Sequence, residues 1–314
     1  MRVLVTDGLD PEALATLRRR HAVDVIEATP EQLNSLIPNF DAIIVRSRTK
    51  VTAGVIERGS KLRVIARAGV GVDNIDLAAA TKHRIPVVNA PAGSTTAVAE
   101  LALGHMLSLA RHLPAADRSV KEGKWEKARF EGTELAGKTL GLIGSGRIGA
   151  EVAKRAHAFG MRVLAYDPYL PPDAARARGI ELADLPTVLR SSDFVSIHAA
   201  LTPETGGMVG ARELGIMRRT AYLVNCARGE IVREDDLAEA LRAGTIAGAA
   251  VDVFAHEPPT ASPLIGAPSV VFTPHLGAST REAQANAGAV VVEQIERVFD
   301  GQRPEFVANL DVYA

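Results

Sequence analysis

Three residues in the second half of the sequence have side chains that suit acid–base chemistry on a substrate bearing a carboxylate. Arg228 ends the run LVNCARG, Glu257 lies in VDVFAHEPP, and His275 lies in TPHLGAST. A histidine exchanges a proton near neutral pH, and an acidic neighbour fixes its tautomer and stabilises its charged form. The planar guanidinium of arginine binds a carboxylate through two parallel hydrogen bonds. Each residue taken singly also fits an ordinary structural role, so the interpretation depends on what surrounds them.

A glycine-rich segment, GSGRIG at residues 144 to 149, predicts the site of a dinucleotide cofactor. It follows the apolar run KTLGLI and precedes the helix-like AEVAKRAHAF, as a pyrophosphate-binding turn requires. Gly144 permits the tight turn, Gly146 allows close approach of the pyrophosphate, and Gly149 lets the helix pack on the strand. The helix N-terminus adds unpaired N–H groups and the positive end of its dipole. An ordinary turn between a strand and a helix is the alternative.

Asp167 indicates which dinucleotide binds. It lies 18 residues after Gly149, at the end of the next apolar run, MRVLAYD. A carboxylate at this position binds the hydroxyl groups of the adenosine ribose and repels a 2′-phosphate. The sequence therefore predicts NAD rather than NADP, and with it hydride transfer, in which a group such as histidine handles the accompanying proton.

The glycine-rich turn belongs to a long alternation of apolar runs and helix-like segments. In the second part of the chain these runs predict six strands, at residues 138–144, 161–167, 193–199, 221–227, 246–254 and 270–275. Because helix-like segments separate them, they indicate a doubly wound parallel sheet, whose ligands lie at the carboxyl ends of the strands. Arg228, Glu257 and His275 each follow one of these strands, so one crevice can hold all three.

The first ninety residues show the same alternation. Strands are predicted at residues 2–7, 23–28, 42–47, 62–69 and 87–91. Short apolar runs separated by amphipathic helices are typical of a parallel sheet covered on both faces. The predicted fold class is therefore α/β, with two doubly wound parallel sheets of the flavodoxin or Rossmann type.

Two predicted helices contain residues that indicate where a helix begins or breaks. A long helical pattern at residues 98–123 contains Pro114, which predicts a bend or a break. Ser279 and Glu282 have the spacing of a capping box, which predicts a helix from roughly 280 to 299.

The composition describes a globular protein. Hydrophobic residues make up 47% of its 314 residues, and the formal net charge is −1. A near-neutral chain has no general electrostatic attraction for nucleic acid or an anionic membrane, so neither partner is expected. The one cysteine, Cys226, excludes an internal disulfide and favours a reducing compartment. Because MRVLVTDGLD lacks the apolar core of a signal peptide, we expect a cytoplasmic location.

No metal site is expected. His256 and Glu257 are not followed by a second histidine at helical spacing, so a zinc motif is incomplete. The acidic residues of VDNID, 72–76, lack the remaining ligands of a calcium loop.

Taken in order along the chain, GSGRIG with YDP, NCARGEIV, VDVFAHEPP and TPHLGAST resemble the motifs of the D-isomer-specific 2-hydroxyacid dehydrogenases. The resemblance covers nearly the whole chain. It implies that Arg228 binds the substrate carboxylate, that His275 is the acid/base and that Glu257 pairs with His275. The implied substrate is a small molecule, a D-2-hydroxyacid.

The same resemblance implies a domain organisation. Residues 1–94 and 282–314 would form a flavodoxin-like substrate domain, and residues 95–281 a Rossmann-like NAD-binding domain. Members of this family typically dimerise through the NAD-binding domain. A homodimer, or a tetramer built from such dimers, is therefore expected.

The resemblance also implies which residues contact NAD. Besides Gly144, Gly146, Gly149 and Asp167, these are Arg147, Ile148, His198, Cys226, Ala227, Arg228, Asp252, His275 and Gly277. In that arrangement Cys226 is a wall residue and not a nucleophile.

The N-terminal half resembles the 3-phosphoglycerate dehydrogenase branch of the family most closely, through VRSRTKVT at 45–52 and ARAGVGVDNID at 66–76. This implies a role in serine biosynthesis. The implied substrate contacts combine backbone groups for the carboxylate with cations for the phosphate, because a buried dianion without partners is very costly. The contacts implied are Arg46, Ser47, Arg67, Val70, Gly71, Lys127, Arg228 and His275, with Lys127 reaching the neighbouring subunit's site. Solvated surface cations are the alternative.

Other activities found in the family are the alternatives to 3-phosphoglycerate dehydrogenase activity. Glyoxylate or hydroxypyruvate reductase comes second, together with D-lactate-type enzymes, and a corepressor that senses NAD is more remote. Formate dehydrogenases usually lack the partner of the histidine that Glu257 provides here. Because the sequence stops shortly after VANLDVYA, we expect neither the C-terminal regulatory domain of long phosphoglycerate dehydrogenases nor feedback by serine.

Overall fold

The computed structural model describes residues 1–313, which form two compact units. The first unit contains Met1–Ser94 together with the chain from Ala278 onward, and the second contains Thr95–Gly277. Ala314, the last residue of the predicted substrate domain, lies outside the described residues.

Short strands and helices alternate through both units. Within residues 1–313 the strands are β1 (Arg2–Val5), β2 (Ala22–Val25), β3 (Ala42–Val45), β4 (Val64–Arg67), β5 (Val87–Asn89), β6 (Thr139–Ile143), β7 (Arg162–Tyr166), β8 (Glu181–Leu182), β9 (Phe194–Ile197), β10 (Tyr222–Asn225), β11 (Gly248–Val251) and β12 (Val270–Phe272). The α-helices are α1 (Pro11–Arg18), α2 (Pro30–Leu36), α3 (Ala53–Arg58), α4 (Leu77–Lys82), α5 (Thr95–Ala110), α6 (Leu113–Lys121), α7 (Arg147–Ala158), α8 (Pro172–Ala177), α9 (Leu185–Ser191), α10 (Ala211–Ile216), α11 (Glu234–Arg242) and α12 (Arg281–Phe299).

The first unit is built on a five-stranded sheet in the order β2-β1-β3-β4-β5, with every pair parallel. Successive side chains of a strand point to opposite faces, and here both faces are buried. Ile43 belongs to one buried cluster, whereas its neighbour Ile44 belongs to the other. Burying a side chain of this size contributes roughly 1.5–3 kcal/mol. Helix α12 supplies Val291 and Ile295 to the second cluster, so this late helix packs on the first sheet.

The second unit contains a seven-stranded parallel sheet in the order β12-β11-β10-β9-β6-β7-β8. From β6 the chain extends the sheet through β7 and β8 in one direction and through β9 to β12 in the other. The strand order therefore reverses between β6 and β9, and in sheets of this kind ligands bind outside the carboxyl ends of the strands at that point. The predicted α/β class with two doubly wound parallel sheets is confirmed.

Some predicted elements need correction. The prediction of six strands for the second sheet is wrong by one, because β8 is a two-residue edge strand that pairs only with β7. Its two residues carry too little apolar pattern to be recognised. Several strands also end earlier than predicted, as β12 does at Phe272, because the residues that follow turn out of the sheet to form the loops of the site.

Helix ends follow local backbone chemistry. The predicted break at Pro114 is confirmed, since α5 ends at Ala110, His112 adopts a left-handed backbone conformation with φ 52°, and Pro114 lies in the first turn of α6. The capping residue of α12 is Thr280 and not the predicted Ser279. The Thr280 hydroxyl accepts the backbone N–H of Ala283 at 3.1 Å, so the cap lies one residue further along the chain.

None of the helices within residues 1–313 combines the length and the apolar character that a membrane span requires.

Candidate functional site

Apart from Lys127, the predicted site residues of the second unit all follow the carboxyl ends of strands in its sheet. The glycine-rich turn follows β6, Asp167 follows β7, and His198 follows β9. The remaining ones follow β10, β11 or β12, which are Cys226, Ala227, Arg228, Asp252, Glu257, His275 and Gly277. Because all these strands are parallel, their carboxyl ends form one edge of the sheet.

Arg228 is held in place by the loop after β10. The buried side chain of Asn225 accepts the backbone N–H of Ala227 at 3.1 Å and donates to the carbonyl of Arg228 at 2.9 Å. The Arg228 guanidinium donates through Nη1 to the carbonyl of Ala227 at 2.7 Å. Asn225 thus replaces the strand hydrogen bonds that end here and gives this loop one defined conformation.

A glycine brings the Arg228 loop against the loop that carries Glu257. A Cβ atom at Gly229 would lie 2.0 Å from the carbonyl carbon of Phe254 and 2.3 Å from the nitrogen of Ala255. Since real Cβ atoms do not approach backbone this closely, only glycine permits the contact. The neighbouring helix α11 adds a fixed point, because Glu234 accepts the backbone N–H of Ala255 at 2.8 Å.

His275 lies on a loop that is held by one buried carboxylate. The side chain of Asp252 is completely buried and accepts the hydroxyl of Thr273 at 2.5 Å and the backbone N–H groups of Leu276 and Gly277 at 2.7 and 2.9 Å. The backbone N–H of His275 donates to the carbonyl of Asp252 at 2.8 Å. His275 itself has a positive φ of 52°, which these surrounding bonds maintain.

His275 and Glu257 are hydrogen-bonded to each other at this edge. Nδ1 of His275 lies 2.8 Å from Oε2 and 3.0 Å from Oε1 of Glu257, and 37% of each side chain is exposed. Burial raises the pKa of Glu257, but the hydrogen bond from His275, the N–H of Phe254 and the charge of Arg228 together outweigh it, so the pKa lies below its ordinary value. Glu257 is therefore ionised at neutral pH, and the structure brings His275, Glu257 and Arg228 into electrostatic contact.

The glycine-rich turn has the shape of an anion cradle. A Cβ atom at Gly149 would lie 2.5 Å from the carbonyl oxygen of Gly144, so the turn closes tightly on the first turn of α7. A Cβ atom at Gly146 would have nothing within 4 Å and would project into open space. Gly146 is the N-cap of α7, and Arg147 and Ile148 form its first turn, so the unpaired N–H groups of the helix lie beside this space.

Polar atoms around the turn fit a bound dinucleotide. The carboxylate of Asp167 accepts the backbone N–H of Ser145 at 2.7 Å and that of Tyr169 at 3.0 Å, which fixes it beside the turn. Near the turn, Ser145 Oγ and His198 Nδ1 are two of the buried side-chain atoms in the described part of the chain that have no hydrogen-bond partner. Burial lowers the pKa of His198 to about 4, so this imidazole is neutral at pH 7. Asp167 and His198 are among the residues predicted to hold NAD.

Cys226 is buried behind the same edge, and its thiol stays protonated. Burial, with a contribution from the charge of Asp252, raises the pKa of Cys226 far above its ordinary value. A thiol without thiolate character is not a nucleophile, which agrees with its prediction as a wall residue.

The first unit carries a second group of predicted residues at the carboxyl edge of its own sheet. Arg46 and Ser47 follow β3, whereas Arg67 ends the adjacent strand β4 and the loop Val70–Gly71 follows it. The carbonyl of Val70 accepts a hydrogen bond of 2.6 Å from the side chain of Asn89 on β5.

Lys127 is placed differently. It is exposed on the single 3-10 turn Lys127–Phe130 after α6 in the second unit, and it does not lie at the end of a strand. Within the second unit, Lys127 therefore does not share the strand-end positions of Arg228 and His275.

Several residues that organise the site were missed by sequence reasoning. Asn225 and Thr273 lie within the quoted motifs, and their positions at strand ends are the signal that could have identified them. His105 lies in the middle of α5, where its buried Nε2 is 3.1 Å from the Thr273 hydroxyl, and nothing in the local sequence marks it. The carboxylate oxygens of Asp252, which is predicted as a cofactor contact, bind the His275 loop, and this organising role was not predicted.

Within residues 1–313 there is no group of three or more histidine, cysteine, aspartate or glutamate side chains arranged to hold a metal ion.

Comparisons with known proteins agree with this geometry. Residues 103–277 match the family model described as D-isomer specific 2-hydroxyacid dehydrogenase, NAD binding domain. The chain is 49% identical over 312 residues to the D-3-phosphoglycerate dehydrogenase of Methanocaldococcus jannaschii, which covers 99% of this chain and 60% of that protein. The chain thus spans about three fifths of that relative's length.

Two further relatives are similar over nearly their whole length. The hydroxypyruvate reductase of Thermotoga maritima is 46% identical over 299 residues, which cover 94% of this chain and 97% of that protein. The crystal structure of the TT0316 protein from Thermus thermophilus superposes with a TM-score of 0.91 at 37% identity, covering 98% of this chain and all of that one.

Substitution of Gly146 tests the cofactor turn. In Gly146→Val the new side chain has free space in the protein but occupies the space beside the N-terminus of α7, so NADH affinity is expected to fall by roughly tenfold or more with little change in melting temperature. Fluorescence titration with NADH and thermal unfolding measure the two quantities. Gly215→Val, at an exposed glycine of α10 with equally open surroundings, is the matched control and should leave NADH affinity unchanged. Equal affinity in wild type and Gly146→Val would contradict the assignment of the turn.

Proposed function

The chain belongs to the family of D-isomer specific 2-hydroxyacid dehydrogenases, and we propose that it is an NAD-dependent enzyme that interconverts 3-phosphoglycerate and 3-phosphohydroxypyruvate in serine biosynthesis. The observation that carries the proposal is the hydrogen bond between His275 and Glu257, with the charge of Arg228 acting on Glu257, at the sheet edge that also bears the glycine-rich turn. Bound NAD supplies the hydride acceptor, and its reduced form supplies the hydride donor.

Proton transfer falls to His275. Because Nδ1 of His275 is hydrogen-bonded to the Glu257 carboxylate, Nδ1 carries a hydrogen. Nε2 therefore remains free to exchange a proton with the substrate. In the oxidising direction Nε2 accepts the proton of the substrate hydroxyl, and the ionised Glu257 stabilises the imidazolium that forms. In the reducing direction the imidazolium returns this proton to the ketone oxygen.

Binding of the substrate carboxylate falls to Arg228, whose guanidinium suits two parallel hydrogen bonds. The backbone of Val70–Gly71 is proposed to assist, and Arg46, Ser47 and Arg67 to bind the phosphate, with Lys127 of a neighbouring subunit as a further cation. The first unit then serves as the substrate domain and the second as the NAD-binding domain, in line with the predicted divisions 1–94 with 282–314 and 95–281. A phosphate dianion removed from water requires such partners.

Reduction of hydroxypyruvate is the second candidate function. It is supported by the 46% identity to a relative named hydroxypyruvate reductase. The residues proposed for the carboxylate and the proton serve either reaction, because both reactions interconvert a 2-ketoacid and a 2-hydroxyacid. The cations proposed for the phosphate distinguish the two candidates.

We also propose that the protein acts in the cytoplasm. The single cysteine, Cys226, is buried and leaves no internal disulfide to form, which suits a reducing compartment. Cell fractionation with activity measurements tests the location, and activity confined to an extracytoplasmic fraction would contradict it.

Replacing the histidine tests the proton transfer. His275→Ala is expected to lower kcat by a factor on the order of 10² to 10⁴, because the proton must then move to or from water, while NAD affinity stays similar. Steady-state kinetics and NADH titration measure both. His256→Ala, a neighbouring exposed histidine, is the control and should retain wild-type turnover. Wild-type turnover in His275→Ala would remove this histidine from the mechanism.

Comparison of substrates tests the role of the phosphate. NADH oxidation with 3-phosphohydroxypyruvate is expected to exceed that with hydroxypyruvate, glyoxylate or pyruvate. Arg46→Ala should lower kcat/KM for the phosphorylated substrate by roughly tenfold to a hundredfold, and much less for the other three, because only the phosphorylated substrate loses a charge-assisted contact. Equal losses for all four substrates would show that Arg46 does not bind the phosphate.

We propose that the protein forms a homodimer through its second unit. Leu113, Val120 and Trp125 are 50%, 57% and 85% exposed on α6 and the segment after it, and large apolar side chains together in water favour an interface. Light scattering should give a dimer or a larger even assembly, and Val120→Asp should weaken it. A monomer at micromolar concentration would contradict the proposal.

A further inference from the structure

A buried carboxylate organises the turn that carries Arg46. Asp7 lies two residues beyond β1, with 3% of its side chain exposed. Its Oδ2 accepts the backbone N–H of Arg46 at 2.7 Å and that of Thr49 at 3.0 Å, and its Oδ1 accepts the Thr49 hydroxyl at 2.5 Å and Nε of Arg48 at 3.3 Å. One side chain therefore satisfies four donors of the Arg46–Thr49 turn.

Asn74 binds the backbone carbonyl groups of the same turn. Its side-chain amide donates to the carbonyl of Arg46 at 2.8 Å and to that of Thr49 at 2.6 Å. The segment of Asn74 is tied to the end of the turn, because Val51 donates to the Asn74 carbonyl at 2.8 Å and Asp76 donates to the Val51 carbonyl at 2.9 Å. The backbone of the turn is thus held from both sides by side chains remote in sequence.

The ionised form of Asp7 is the one that these contacts require. Burial raises the pKa of Asp7, but the hydrogen bonds from Thr49, Arg46 and Arg48 outweigh it, and the pKa lies below its ordinary value. Both oxygens accept hydrogen bonds from donors, so a neutral side chain of the same shape cannot take its place.

The held turn borders a cavity in the first unit. Asp7, Gly8, Asp10, Arg46, Ala68 and Gln284 line a space of about 150 Å³ outside the carboxyl ends of the strands. Asp7 and Arg46 therefore meet where the strand order of the first sheet reverses, between β1 and β3. Arg46 is the cation proposed above to bind the substrate phosphate, and its backbone nitrogen is bound directly by Asp7.

We propose that Asp7 is a positioning residue that sets the preference of this enzyme for phosphorylated over unphosphorylated 2-ketoacids by holding the Arg46–Thr49 turn in one conformation. The inference rests on the proposed function, because it assigns Arg46 to the phosphate. A long side chain on a turn with several conformations must be ordered when the ligand binds, and this ordering reduces affinity. The carboxylate and the reacting carbon are handled by other residues, so the effect is confined to substrates that carry a phosphate.

The variant Asp7→Asn tests the proposal with little change in volume. Its amide NH₂ replaces an acceptor oxygen and faces donors of the turn, so the turn loses one or two of its four contacts, depending on whether the Thr49 hydroxyl accepts from the amide. We expect KM for 3-phosphohydroxypyruvate to rise by roughly tenfold with a smaller change in kcat, and kcat/KM for hydroxypyruvate to stay within about twofold of wild type. Amide hydrogen exchange at Arg46 and Thr49 should accelerate.

Two further variants separate positioning from general stability. Thr49→Val removes one donor to Asp7 and keeps the buried shape, so it should change the same preference in the same direction but less. Asp41→Asn alters a carboxylate that accepts the backbone N–H of Arg2 at 2.7 Å at the other end of the sheet, and it should leave the preference unchanged. Should Asp7→Asn fail to fold, Thr49→Val carries the test.

The possible results distinguish this inference from the proposed function. If wild type prefers 3-phosphohydroxypyruvate and both Asp7→Asn and Thr49→Val retain the full preference, the positioning role is wrong and the proposed function stands. If the wild-type enzyme does not prefer 3-phosphohydroxypyruvate, the proposed function is wrong. The proposed effect of Asp7 on substrate preference is then also wrong, whatever the amide hydrogen exchange rates at Arg46 and Thr49 are. A loss of preference equal in Asp41→Asn would show a general effect of destabilisation and would also overturn the role of Asp7.

Discussion

All strands of the second sheet run in the same direction, and this constraint determines where chemistry can occur. Residues that follow different strands meet at one edge, however far apart they are in the chain. Arg228, Glu257 and His275 come near one another because β10, β11 and β12 are neighbours in the sheet. The glycine-rich turn reaches the same edge from β6, where the strand order reverses. The first sheet repeats the constraint and collects Arg46 and Arg67 at its own edge.

A parallel sheet supplies position but leaves the loops beyond its edge without regular hydrogen bonds. Buried polar side chains at the strand ends provide the missing hydrogen bonds to these loops. Asn225 and Asp252 hold the loops of Arg228 and His275 in the second unit, and Asp7 does so for Arg46 in the first. Each of them pairs with backbone groups that would otherwise be buried without partners, which is costly. The residues that make the site rigid are thus different from those that carry its chemistry.

The fold could be predicted from the sequence because parallel strands buried on both faces leave an unmistakable alternation of apolar runs and helices. The His275–Glu257 contact was also within reach, since both residues follow apolar runs and complement each other chemically. The role of Asp7 could not be predicted, because its partners lie about 40 residues away and no local sequence pattern joins them. Strand β8 and the cap at Thr280 were missed or misplaced for a related reason: a two-residue strand and a one-residue shift are decided by individual hydrogen bonds.

Substrate identity is a separate question from family membership. Relatives named for a phosphorylated and for an unphosphorylated hydroxyacid are similar to this chain to nearly the same degree. Similarity of this kind reports mainly on the shared sheets and on the residues proposed to bind the carboxylate and to transfer the proton, which both substrates need. Discrimination requires groups that interact with the phosphate alone, and cations do this because their attraction for a dianion is large only where water is excluded. With Arg46 proposed to bind the phosphate, the geometry of the Arg46–Thr49 turn is expected to have more weight for substrate choice than the sequence identity of the whole chain.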